Sequence, residues 1–180
     1  MMVEIETLEK TLAEHPFFQD MSERARELIA GCAGHLVVHD GERLYREGDS
    51  ANEFYLLRHG CVALEVHVPG RPPLVIETLG PGEVLGWSWL VPPYRCRFTA
   101  RAVGLVRAFV IDGLCLRGKC EEDHELGYEF YRHFLPLVVN RLSAARMQMI
   151  DIYGHPGAYA DTDTESPPPP SPPAKPSPWE

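Results

Sequence analysis

The chain has 180 residues, 44% of them apolar, which is enough to bury one core but not two. Its formal net charge is -9; Asp161, Asp163, Glu165 and Glu180 against Lys175 account for -3, leaving -6 for the rest. No lysine or arginine run offsets that sign, which argues against a nucleic-acid partner, and no stretch reaches the ~20 apolar residues of a membrane span.

Residues 1–10 are acidic and amphipathic rather than a basic start followed by an apolar run, so they read as an unexported N-terminus. Cys32, Cys61, Cys96, Cys115 and Cys120 are odd in number and spread without a tight pair, which favours reduced thiols over a disulfide framework. Both readings place the protein in the cytoplasm, away from any membrane.

Ile5, Leu8 and Leu12 recur at helical spacing and predict a helix over 5–13. Pro16 ends it. A second short helix is expected after Ser22 as N-cap, with Glu23 in its first turn and Phe17 and Phe18 placed to staple the pair to the core. From 35 to 112 the pattern changes to short β-rich runs, at 36–38, 43–45, 53–57, 61–68, 74–78, 98–102 and 106–111. Glycines from Gly41 to Gly104 sit at or near the joints. Strands this short and numerous predict a small sandwich or barrel.

A short helix is expected around 114–120 and a long one over about 122–153. Within the long one Val138, Leu142, Ala145, Met149 and Ile152 alternate in steps of four and three, a heptad seam that requires a partner helix and implies a homodimer. Pro136 removes a backbone donor and clashes with the preceding turn, so a kink or break is expected near 131–135. From 154 onward prolines interleave with Ser, Ala and acidic residues. The expected division is a folded domain over 1–153 and a disordered, partly polyproline tail over 154–180.

Three stretches carry a resemblance. Glu47-Gly48-Asp49 followed by Phe54-Tyr55-Leu56-Leu57 and Gly60, then Leu79-Gly80-Pro81-Gly82-Glu83-Val84-Leu85-Gly86, then Arg101-Ala102 before 106–111, together resemble the cyclic nucleotide-binding domain family over about 8–153. The resemblance implies a mainly β fold with flanking helices. This is a double-stranded β-helix, the jelly-roll-like β-roll of catabolite-activator-type sensors, with two N-terminal helices and a long C-terminal helix. Relatives that regulate transcription carry a helix-turn-helix domain directly after the long helix. Here Gly154-His155-Pro156 follows, so a stand-alone module that does not read DNA is expected.

In that family a glycine-rich turn and a short helix present backbone donors to the cyclic phosphate, a glutamate accepts from the ribose hydroxyl, and an arginine pairs the phosphate charge. The position after Gly86, where the resemblance implies the glutamate, is Trp87. For the arginine, counting back from Arg101-Ala102 gives Cys96, whereas counting forward from Gly86 with a loop one residue longer gives Arg97. Strand alternation favours Cys96, Phe98, Ala100 and Ala102 inward and Arg95 and Arg97 outward. The expected pocket draws on Gly82, Glu83, Val84, Leu85, Gly86, Trp87, Ser88, Arg95, Cys96, Arg97, Phe98 and Thr99. Trp87, Cys96 and Phe98 would wall it, with Trp89 a further candidate, and a phosphate there would stay largely unpaired. The alternative brings Arg95 or Arg97 inward, with Ser88 supplying a hydroxyl.

Catalysis has no candidate: the chain holds no serine elbow, no phosphate loop ending in Gly-Lys-Ser, no paired carboxylates at a recognisable spacing and no dinucleotide fingerprint. Cys115, Cys120 and His124 lack a fourth partner, so no metal is expected. The reading is a non-catalytic regulatory sensor that requires no cofactor and takes a cyclic nucleotide, cAMP or cGMP, or another small effector. Its rival is a ligand-free scaffold in which Trp87 fills the old pocket and the roll serves a partner protein.

Overall fold

The two strand-forming stretches richest in apolar residues become the two long strands on which all the others pair. The structure is a computed structural model that describes residues 8 and 10–154, with side chains up to 150. Its strands are β1 (Ala33–Val38), β2 (Arg43–Tyr45), β3 (Glu53–Val66), β4 (Leu74–Leu79), β5 (Val84–Leu85) and β6 (Thr99–Asp112). Its helices are α1 (Glu23–Ala30), α2 (Gly113–Glu122) and α3 (His124–Gly154), with 3-10 turns at Pro16–Phe18 and Trp87–Leu90. β3 and β6 pair with each other; β2 and β1 line the free edge of β6, and β5 and β4 the free edge of β3, all antiparallel. This is the mainly β roll with flanking helices that the sequence implied.

Four expected strands merge into two. Gly60 and Gly104, at positive φ of 76° and 73°, sit where the sequence suggests breaks, yet pairing continues past them through register shifts between Leu57, His59 and Cys61. These shifts are bulges rather than strand ends. They also change which residues of β3 face inward. Tyr55 and Leu57 belong to the same interior cluster as Val62 and Leu64, an odd-to-even change that only an irregular register allows.

β3 is buried on both sides near its start, and its alternation separates two cores. Tyr55, Leu57, Leu85, Ala100, Ala102, Val106 and Ala108 fill the roll. Phe54, Leu56, Phe109 and Ile111 face the helices, where Phe17, Phe18, Trp89, Leu116, Phe130 and Phe134 cover them. Phe17 and Phe18 are buried there, as the stapling role requires.

The helix ends follow their caps. The Ser22 hydroxyl accepts from Ala25 N–H, and the Glu129 carboxylate of α3 accepts from both the N–H and the hydroxyl of Ser22, the latter at 2.7 Å. Asp112 caps α2 by accepting from Leu114 and Cys115 N–H, each at 2.9 Å. Residues 8 and 10–13 are helical; the rest of the first expected helix, and the tail from 155, lie outside the described residues. The expected break at Pro136 does not occur. α3 runs through it, and because Pro136 and Arg132 are both exposed, the carbonyl deprived of its donor lies on the solvent side. By packing, the chain divides after Asn140. In the second unit Leu142, Met147, Met149 and Ile150 are exposed.

The reduced-thiol expectation needs correction, because Cys32 and Cys115 are joined as a disulfide and only Cys61, Cys96 and Cys120 are free. The partners are 83 residues apart in sequence. The pairing of Ala33 with Ile111 brings their neighbourhoods together. Reduction, or Cys32→Ser, is expected to cost about 2–4 kcal/mol of unfolding free energy and lower Tm in thermal denaturation; a Tm insensitive to reductant would remove the bond from the account of stability.

Candidate ligand site

The segment entering the site is stapled to β3 before it turns. Gly82, at φ 88°, donates its N–H to the Leu57 carbonyl at 2.7 Å, and the Glu83 carbonyl accepts from Leu57 N–H at 2.9 Å. The Glu83 carboxylate is exposed and accepts from Gly80 N–H at 2.7 Å. Val84 and Leu85 pair with Leu56 and Tyr55 and face the helix-side and roll-side cores respectively. Gly86 then takes φ 88°, and a Cβ on it would lie 3.2 Å from the Glu53 carbonyl oxygen and 3.4 Å from Phe54 Cα. Only glycine fits there without strain.

The 3-10 turn that follows is anchored inward. Trp87 is half-buried against the helix-side core, and the half-buried Ser88 accepts from Val91 N–H through its carbonyl. Trp89 is a core residue rather than a pocket wall. Its indole stacks on Phe54 at 5.0 Å and meets Phe130 of α3 edge-on at 5.6 Å. The Trp89 carbonyl accepts from Arg117 at 2.9 Å, and the Arg117 guanidinium lies 4.0 Å over the Tyr94 ring.

The returning segment is laid against residues 48–51 by backbone bonds: Gly48 N–H to the Cys96 carbonyl, Cys96 N–H to the Asp49 carbonyl and Ala51 N–H to the Tyr94 carbonyl. Cys96 is buried at 7% exposure, while Arg95 and Arg97 are exposed. Arg95 donates to the Gly48 carbonyl at 3.1 Å. Phe98 packs into the roll-side core, and the Thr99 hydroxyl accepts from Glu47 N–H at 3.1 Å. The residues named from sequence therefore fall on two sides of the sheet, with Trp87, Trp89 and Cys96 in one core and Leu85 and Phe98 in the other.

A cavity of about 260 Å³ opens beside Cys96, lined by Tyr45, Asp49, Ser50, Glu53 and Tyr55 among others. Tyr45 and Tyr55 stack at 6.0 Å, and the Tyr55 hydroxyl donates to Glu53 at 2.8 Å. Burial, then that bond and the Glu53 charge, push the Tyr55 phenol well up. None of these lining residues except Cys96 was singled out from sequence as a ligand contact. What brings them together is the pairing of 48–51 with 94–96, which no local pattern announces.

The sequence profile of the cyclic nucleotide-binding domain matches residues 35–123. Those residues form a domain of the cyclic nucleotide-binding family. Solved structures agree with it. A protein from Geobacter metallireducens GS-15 described as cyclic nucleotide-binding is 26% identical, with TM-score 0.67 over 74% of this chain and 96% of that one. A cyclic nucleotide-binding domain from Methylobacillus flagellatus KT is similar at 16% identity and TM-score 0.68, over 82% of this chain and 83% of its own. A cAMP-binding acyltransferase from Mycobacterium smegmatis matches at 25% identity and TM-score 0.63, over 78% of this chain; the match spans 42% of the acyltransferase. No curated protein sequence matches. No helix among the described residues is long and apolar enough to cross a membrane.

Within this cyclic nucleotide-binding domain, burial and then the Asp49 charge push the Cys96 thiol up, so it stays protonated at pH values where an ordinary cysteine begins to ionise. Iodoacetamide at pH 8 should modify Cys96 roughly tenfold more slowly than a free cysteine peptide, with the rate climbing at higher pH, as read by mass spectrometry. Modification as fast as the peptide would mean Cys96 is not held in this environment.

Proposed function

We propose that the chain is a non-catalytic regulatory module whose roll has lost its pairing group for a cyclic phosphate and takes a smaller or less anionic effector. The observation that carries this reading is the burial of Cys96, which supports Cys96 over Arg97 as the residue at the position where the resemblance implies the arginine. Arg95 donates to the Gly48 carbonyl and Arg97 is exposed, which supports the reading that neither neighbour substitutes for it. Removing one partner of a buried charge pair costs about 3–5 kcal/mol, which is roughly a 10²- to 4 × 10³-fold loss in affinity. The cavity beside Cys96 adds to that loss, because Asp49 and Glu53 line it and would repel a phosphate.

Occupancy would be read by α3. Trp89 sits in the turn next to the ligand segment and touches Phe130, so a ligand that shifts the turn in one of two helix arrangements biases that equilibrium. A ligand-free scaffold is the second reading, and the packing of Trp87 against the helix-side core favours it. The remaining cavity weighs toward the ligand reading.

Isothermal titration calorimetry against cyclic AMP and cyclic GMP tests the proposal. The wild type is expected to give no binding heat, and Trp87→Glu with Cys96→Arg is expected to restore binding. Micromolar binding by the wild type would overturn it and return Arg95 or Arg97 to the phosphate.

The module is also proposed to act as a homodimer through α3. Val138 is partly used against the chain's own core, while Leu142, Ala145 and Met149 are exposed; the side chain of Ile152 lies outside those described. Leu142→Asp would place a charge in the seam and should yield a monomer at micromolar concentration in sedimentation velocity. Unchanged sedimentation would remove the seam from the proposal.

A further inference from the structure

The outer face of the β3–β6 pair carries a surface that the ligand reading leaves unused. At the bulge, register jumps from His59 opposite Arg107 to Cys61 opposite Val103, so Gly60 alone faces Gly104, Leu105 and Val106. A Cβ on Gly60 would lie 2.3 Å from the Leu105 carbonyl oxygen, so the position admits glycine only. The extra length of β6 throws Leu105 outward, 39% exposed. Arg58, His59, Leu105 and Arg107 enclose a cavity of about 360 Å³.

This cluster is held in place from beneath. The Arg58 guanidinium lies 4.7 Å over the ring of the fully buried Phe109, and the His35 ring rests 5.4 Å from the same ring. Val37, opposite Arg107 in the β1 register, is 55% exposed. Among the described residues neither Arg58 nor Arg107 is in an ion pair, whereas Arg24 and Arg101 each have carboxylate partners. Asp40 lies at this end of the sheet, but its carboxylate accepts from Gly104 N–H at 2.8 Å. Arg43, Arg46 and Arg97 are likewise outside the ion pairs; what sets Arg58 and Arg107 apart is that they share, with Leu105, a cavity that no carboxylate lines, on a chain of net charge -9.

The geometry points to a docking site for an acidic peptide segment of a partner protein, its carboxylates between Arg58 and Arg107 and an aliphatic side chain against Leu105 and Val37. Arginine on a rigid platform offers a planar donor fork to carboxylates, and the aliphatic rim supplies the desolvated contact that fixes register. Nucleic acid fits less well. The net charge of -9 opposes a phosphate chain, and Phe109 is capped and cannot stack a base.

The test is a titration of isotopically labelled full-length protein with acetyl-Glu-Glu-Leu-Glu-Glu-Leu-Glu-Glu amide, followed by amide and arginine Nε shifts. Shifts are expected to concentrate at 35–37, 58–60 and 104–109, and affinity to fall roughly tenfold in Arg58→Glu with Arg107→Glu and with the Gln-for-Glu peptide. Arg107→Gln, which adds no charge repulsion to the fold, should weaken binding in the same direction. The proposal is overturned by shifts spread equally over Arg43, Arg46 and Arg97, by no shifts at millimolar peptide, or by tighter binding of an oligo-dT strand at the patch.

Discussion

The Trp89 indole occupies the point where sheet, turn and long helix meet. It stacks nearly parallel on Phe54, with 9° between the planes, and meets Phe130 edge-on with 64° between the planes. A Cβ at Gly113 would sit 3.0 Å from the indole ring, so a side chain there would push on Trp89. Aromatic pairs of this kind contribute about 0.5–1.5 kcal/mol each beyond their area burial. The first turn of α2 and the base of α3 therefore share one packing unit with the turn that follows Gly86. A displacement of that turn cannot be absorbed locally, since close-packed side chains have no slack to take it up.

The interior does bury one charge, and the contrast with Cys96 is informative. Glu65, the buried carboxylate among the described residues, is 5% exposed and has Arg101 at 2.7 Å, so this buried charge is met by a guanidinium. Beside Cys96 the available groups are a thiol pushed up by burial, two phenols and two carboxylates. That set offers acceptors and aromatic faces and no fixed cation. Ser50 and Asn52 add neutral polar groups to the same lining.

Much of the fold was legible because alternation and glycine placement are local signals. Ser22 and Glu23 marked α1, and the runs around 36, 43 and 74 became β1, β2 and β4. The merging of strands at Gly60 and Gly104 was not legible, because a positive-φ glycine serves a bulge and a turn equally well. The Cys32–Cys115 bond and the lining of the Cys96 cavity depend on contacts between distant segments, which spacing does not encode. Sequence makes Trp89 a pocket candidate through its neighbours Trp87 and Ser88; the four-residue 3-10 turn instead buries its side chain in the helix-side core.

The bulge at Gly60 answers two separate questions differently. Keeping Val62 and Leu64 in the same interior as Tyr55 and Leu57 requires an irregular register in β3, and of the extra residues opposite Gly60, Val106 turns into the roll while Leu105 goes outward. Core geometry therefore explains the exposure of Leu105 without any partner. It does not explain the cations. Solubility would be served by any polar residues at 58 and 107, and a chain with 26 acidic against 17 basic side chains has carboxylates to spare for pairing them. Both guanidiniums are instead left unpaired, one fixed over Phe109 and the other beside Leu105. Folding accounts for the shape of that surface and for the seat of Arg58 over Phe109; the charge left exposed on it is what the proposed docking site offers.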